Sequence, residues 1–132
     1  MRQILQPPGW PRPKGYSNGI AAEGRLLFVA GQIGWDARGA LVSDDLAGQT
    51  EQALRNVVAV LREGGAGPEH VVRLTWYVAD RHAYLAAQAE IGAAYRRVMG
   101  RHYPAMTLVE VAALLEEGAR VEIEATAVVP FR

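Results

Sequence analysis

The sequence predicts an α+β fold in which helices cover one face of a sheet, and three observations carry that prediction. A short apolar run, RLLFVAGQI from Arg25 to Ile33, has the composition of a strand and stops at glycine and polar residues. Two longer stretches, 43–65 and 80–100, place apolar residues at helical spacing. Two others, VVRLTWYVAD at 71–80 and ARVEIEATAVV at 119–129, alternate apolar and polar residues as half-buried strands do.

Taken in order, residues 1–15 hold Pro7, Pro8, Pro11 and Pro13, which favours an extended arm over a helix. The Arg25–Ile33 strand follows. Ser43, Asp44 and Asp45 then supply capping chemistry for a helix whose apolar stripe is Leu54, Val57, Val58 and Leu61, closed by Gly64 and Gly65. In the next strand Val72, Leu74, Trp76 and Val78 face one way, and Val71, Arg73, Thr75 and Tyr77 the other. Asp80 can cap a second helix with Tyr84, Ala87, Ile91, Ala94, Tyr95 and Val98 on one stripe and Gly100 behind it. HYPAMTLVEV (102–111) enters a further strand through a proline, and 119–129 forms the last. One domain spanning 1–132 is expected, with no repeat and no linker. The Arg25–Ile33 strand is apolar at nearly every position, which suits burial on both faces, and two helices cover only one. A second copy of the chain is the simplest cover, so a homo-oligomer is expected; the alternative is a monomer with one partly exposed apolar face.

Composition narrows the function classes. The 14 basic and 14 acidic residues cancel, leaving no footprint of a nucleic-acid binder. Absence of cysteine removes disulfides, thiolate metal sites and thiol nucleophiles together. The N-terminal MRQILQPPGWPRPKGY resembles neither a signal peptide nor a membrane span, so a cytoplasmic protein with no membrane partner is expected. His70, His82 and His102 show no ligand spacing, and no metal or cofactor is expected. The glycines of GQIGWD do not have the spacing of a nucleotide-binding loop.

The segments KGYSNGI (14–20), VAGQIGWD (29–36), VVRLTWYVAD (71–80), YPAMTLVEV (103–111) and VEIEATAVVP (121–130) stand in the order and spacing of the RidA (YjgF) family. The resemblance runs from about Tyr16 to Val129 and is most specific from Tyr103 to Ala125. It implies a chorismate-mutase-like subunit, a six-stranded mixed sheet with two helices on one face, assembled as a homotrimer with three intersubunit clefts. The family's active members hydrolyse reactive imines and enamines, such as 2-aminoacrylate, to keto acids and ammonia. By position, the resemblance makes Glu122 the residue that helps place or activate water. It puts Tyr16, Arg73, Ala30, Gly31, Met106 and Leu108 in the substrate-binding set.

The departure is Met106. The family has an arginine there, gripping the substrate carboxylate. A guanidinium does so with two parallel charge-assisted hydrogen bonds. A thioether has no donor, but it fills apolar gaps and contacts aromatic rings. Met106 is then either core or interface packing, or an apolar wall for a ligand other than a small α-imino acid, one bulkier or less anionic than 2-aminoacrylate. Arg73 is the candidate replacement cation, or else the ion-pair partner of Glu110, Glu122 or Glu124, since a buried carboxylate needs a partner. Glu122 is likewise either a water-activating base or part of an ion pair, whereas Glu110 and Glu124 read as structural. Trp35 and Trp76 read as core or interface residues. Two functions remain open: an atypical imine or enamine deaminase, and a non-catalytic homotrimer that binds a small metabolite. A ribonuclease or translation inhibitor would need a basic, aromatic-interleaved surface that the sequence does not provide.

Overall fold

The computed structural model describes residues 2–131. Six strands and three α-helices follow in the order β1 (Arg2–Leu5), β2 (Gly19–Ala22), β3 (Arg25–Gln32), α1 (Leu46–Glu63), β4 (Val71–Val78), α2 (Arg81–Ala86), α3 (Gln88–Met99), β5 (Ala105–Glu110) and β6 (Val121–Val129). The α+β class is as the hydrophobic pattern predicts. Four strands form a sheet in the order β3-β6-β4-β5, in which only β4 and β5 run parallel.

The six strands do not form one sheet. β1 pairs only with β2, as an antiparallel ribbon, and the first residues of the proline-rich arm are therefore a strand. The ribbon joins the main sheet through a single bridge between Ser17 and Ala105. Pro104, just before β5, has no N–H to donate, so the ladder cannot extend past that point. Ser17 uses the remaining groups instead: its N–H donates to the Pro104 carbonyl at 3.0 Å and its hydroxyl to the Tyr103 carbonyl at 2.6 Å.

The capping residues act as their chemistry predicts. The Asp45 carboxylate accepts from the Gly48 N–H at 2.9 Å and starts α1. Gly65, at φ 77°, ends the helix in the left-handed region that glycine tolerates, and the Ala66 N–H returns to the Leu61 carbonyl at 2.9 Å. The second helix departs from expectation by parting in two. At Ala87 the backbone leaves helical geometry, and its N–H is shared between the Ala83 and Tyr84 carbonyls at 3.1 Å each. Asp80 caps α2 through the N–H groups of His82 and Ala83. Glu110, at the end of β5, accepts from the Arg81 N–H at 2.8 Å, which explains a carboxylate in that strand.

The core lies between the sheet and the helices. Leu54, Val57 and Leu61 of α1 meet Leu74, Val78, Ile123 and Ala127 of the sheet, with Ile91, Tyr95 and Met99 of α3 beside them. Gln49 and Thr50 are the fully buried polar exceptions: the Thr50 hydroxyl donates to the Leu46 carbonyl, while the Gln49 amide donates to the Ser43 and Gly118 carbonyls and its oxygen accepts from the Arg120 N–H. Gln49 ties α1 to the loop before β6. No helix among the described residues is long and apolar enough to cross a membrane.

Candidate functional site: one sheet, two faces

Strand pleating sorts the candidate residues. In the β4/β5 pair Arg73 stands beside Ala105, Leu74 beside Met106 and Trp76 beside Leu108. Side chains alternate, so Met106 and Leu108 point to the helix side with Leu74 and Trp76. Arg73, Thr75 and Tyr77 point to the uncovered side. The β4/β6 register sets Tyr77 beside Glu122 and Thr75 beside Glu124, which puts both carboxylates on the uncovered side as well.

On the helix side, β5, α2, α3 and the N-terminal arm enclose a cavity of about 560 Å³. Its inner wall is Trp76, Tyr95, Tyr103, Met106 and Leu108. The rings form a stack: Trp76 to Tyr95 at 6.3 Å and Tyr95 to Tyr103 at 5.5 Å between centroids. The Tyr95 hydroxyl donates to the His102 carbonyl, and burial, followed by the neighbouring Tyr103, pushes its pKa upward. Desolvation raises that of Tyr84 too. Both stay neutral phenols at neutral pH. Tyr16 lies across the opening, held by the two Ser17 hydrogen bonds and a turn at Gly15 with φ 78°.

The uncovered side holds the other half of the predicted set. Glu122 packs against Gly31, where a Cβ would fall 2.0 Å from the carboxylate Oε2. Only glycine leaves that room, at a point where the β3/β6 register shifts between Val29 and Gln32. Ala30 is exposed nearby. A shallower hollow is lined by Arg73, Thr75, Tyr77 and Glu124. The Tyr77 hydroxyl donates to the Glu124 carboxylate, and that bond is the main reason the phenol pKa is raised.

The structure therefore brings Tyr16, Met106 and Leu108 together, and separately Glu122, Gly31 and Ala30. Arg73 belongs with the second group. It does not line the Met106 cavity of its own chain, and among the described residues it forms no ion pair with Glu110, Glu122 or Glu124. Sequence reasoning passed over Lys14, Gln88, Gly92 and Arg96, which line the cavity. A signal for the helical ones was present: Gln88, Gly92 and Arg96 are spaced four apart and share a face of α3.

With this geometry in hand, the chain can be compared with known proteins. A model of the family described as Endoribonuclease L-PSP matches residues 11–129. The chain belongs to that family. Similar solved structures are named as Rid, YjgF/YER057c/UK114 or putative endoribonuclease proteins. The conserved Rid family protein YyfB of Yersinia pestis is 41% identical and superposes with a TM-score of 0.83 over 97% of this chain and 98% of that one. The YjgF gene product of E. coli is 33% identical with a TM-score of 0.68, covering 86% of this chain and 87% of that one. A human 2-iminobutanoate/2-iminopropanoate deaminase is 33% identical over 86% of this chain and 79% of its own length. A RutC family protein of Pyrococcus horikoshii is 35% identical over 96% and 98%.

Proposed function

We propose that this RidA-family chain is an atypical hydrolytic deaminase of imines or enamines, working in clefts between the subunits of a homotrimer, and that 2-aminoacrylate is not its standard substrate. The observation that carries this reading is the division of the candidate site between two faces of one sheet. Glu122 cannot meet a ligand held in the Met106 cavity of its own chain, because the sheet lies between them. A neighbouring copy can present its own Glu122 to that cavity. The uncovered face is suited to such packing, since Leu26 and Phe28 of β3 are 57% and 75% exposed there.

The chemistry asks little of the protein beyond placement. Water oxygen adds to the imine carbon while the C=N pair moves to nitrogen, which takes up a proton. Glu122 receives the proton that the water loses and passes it to the amine. As the C–N bond breaks, a carbinol oxygen lone pair closes the C=O bond and the hydroxyl proton returns to solvent, replacing the one the imine nitrogen took up, so that ammonia and a carbonyl are left. Placement of the substrate supplies much of the rate, and an arginine at residue 106 would have provided it for a small imino acid. Met106 does not. The name of the human relative supports the reaction class; the balanced charge of the chain favours a small-molecule substrate over RNA.

A second reading is a non-catalytic metabolite-binding trimer. It is favoured by the cavity's charged lining, which is Lys14 and Arg96 with no carboxylate. The two readings separate in one assay. Imines are generated in situ by an amino-acid oxidase and trapped competitively by semicarbazide, with wild type, Met106→Arg and Glu122→Ala side by side. The deaminase reading expects wild type to speed loss of at least one bulky imine and Glu122→Ala to lose that by about 100-fold or more. It fails if wild type is inert on every imine, and a gain by Met106→Arg alone would then mark an unused catalytic frame.

A further inference from the structure

The helix-side cavity contains an aromatic wall, an opening bearing two cations, and a glycine where a helix would prefer almost anything else. Arg96 is exposed at the last turn of α3, and Lys14 is exposed on the arm. Both line the cavity, and no acidic side chain does. The neighbouring Arg97 is engaged by Glu51, with Nη2 to Oε1 at 2.6 Å. Arg96, by contrast, has neither an ion pair nor a side-chain hydrogen bond among the described residues. Its guanidinium lies back along the helix over Gly92, with Nη1 3.4 Å from where a Cβ there would be. Glycine inside a helix costs stability relative to alanine. Here it leaves room on the cavity side of α3 between Gln88 and Arg96.

The wall itself offers apolar contact: Trp76 is 4% exposed, and its indole N–H, which finds no acceptor among the described residues, is buried out of a ligand's reach. The volume, about 560 Å³, lies within the range for drug-sized ligands and far exceeds a three-carbon acid.

We infer that Arg96, assisted by Lys14, is the anion clamp of this cavity, and that it selects ring-bearing 2-oxo or 2-imino acids over small ones. The carboxylate is held from the helix side, and the ring occupies the wall formed by Trp76, Tyr95, Tyr103, Met106 and Leu108. This moves the cationic function from the strand to α3, and Met106 becomes the apolar floor that the ring requires. The inference deepens the deaminase reading and rests on the same cavity, but binding tests it without catalysis.

The test is calorimetry on the full chain with three stable probes: phenylpyruvate, pyruvate and phenylacetone. The first has ring and carboxylate, the second lacks the ring, and the third lacks the carboxylate. Phenylpyruvate is expected to bind at least about tenfold more tightly than phenylacetone, since one charge-assisted pair is worth that much, and at least about tenfold more tightly than pyruvate, since a buried ring is worth about as much. Arg96→Gln should remove that advantage for phenylpyruvate and leave phenylacetone unchanged, which a misfolded variant would not do. Arg62→Gln, at the end of α1, is the control of equal charge change. Gly92→Ala should weaken phenylpyruvate while leaving the fold at least as stable. Equal binding of pyruvate and phenylpyruvate, or undiminished phenylpyruvate binding by Arg96→Gln, overturns the clamp. If Arg96-dependent binding is found and no imine is hydrolysed, the deaminase reading fails and the clamp stands. Hydrolysis of bulky imines that is indifferent to Arg96→Gln would show the reverse.

Discussion

The two faces of the four-stranded sheet are made by alternate residues of the same strands, yet they obey different rules. On the helix side Leu74, Trp76, Val78, Ile123 and Ala125 are buried, and even the cavity is walled by rings and a thioether. On the other side Arg73, Thr75, Tyr77, Glu122 and Glu124 leave a polar strip beside exposed Leu26 and Phe28. The helix side is finished within one chain. The open side is not: it pairs apolar surface that water disfavours with carboxylates that need water or a partner. The contrast teaches that core packing and ionisable side chains are segregated to different faces of the sheet, with the cavity at the rim where the helix layer ends.

The comparison can be broken most forcefully at Leu74. It is fully buried, and Leu74→Ala should cost about 2–5 kcal/mol, from lost burial and the cavity left behind. Thr107, on the adjacent strand but facing out and exposed, should tolerate alanine within about 0.5 kcal/mol. Urea midpoints at unchanged m-value measure both. Equal costs would mean that the two faces are equally covered within one chain, contrary to the division described here.

Phe28 tests the open face itself. Phe28→Asp should leave the chain folded but raise the dissociation constant of the proposed trimer by about tenfold or more. That follows from about 1.5–3 kcal/mol for a buried phenylalanine and the added cost of an unpaired carboxylate in each seam. Sedimentation velocity across a dilution series reads the mass. A wild-type monomer at all concentrations, or a Phe28→Asp assembly as tight as wild type, counts against packing through this face.

These outcomes bear on what the sequence could and could not disclose. Alternation from Arg73 to Val78 and in 119–129 places Arg73, Glu122 and Glu124 on the polar side of their strands, because pleating is periodic there. It fails at Val71, expected on the Arg73 side but fully buried in the core, because the β4/β6 register shifts between Val71 and Arg73. The apolar run at 25–33 signals an open face needing cover, and Leu26 and Phe28 are what it leaves exposed. The separation of Arg73 from Met106 depends on which residues pair across β4 and β5, a non-local register that no local pattern encodes. The break at Ala87 sits in LAAQAE, among good helix formers, with no proline or glycine to mark it. Gln49 reads as a solvent residue on α1 until the loop carbonyl of Gly118 and the N–H of Arg120 are known to meet it. Arg96 was hidden for the same reason: adjacent arginines look alike in sequence, and only the position of Glu51 on α1 tells the engaged one from the free one.

The outer surface of the helix layer offers a third environment, and there the expected effect is smallest. Glu51 accepts from Arg97 and from Arg55, and these bonds, the Arg97 one foremost, hold its carboxyl below the ordinary value of 4.5. A carboxylate with a depressed folded-state pKa adds stability that is fully present above its unfolded value and is lost as pH falls through the folded one. Both arginine side chains are more than half exposed, so water and salt screen the pairs heavily. Glu51→Gln should therefore cost at most about 1 kcal/mol at neutral pH, after that discount. The difference between wild type and variant should stay constant down to the ordinary carboxyl range and then close as the pH drops further. It should also shrink in high salt. A gap that persists unchanged into strong acid would mean Glu51 acts through packing between α1 and α3 and not through its charge. The helix layer would then owe its outer edge, like its inner one, to contact alone, which leaves the open sheet face and the cavity rim as the places where charge matters.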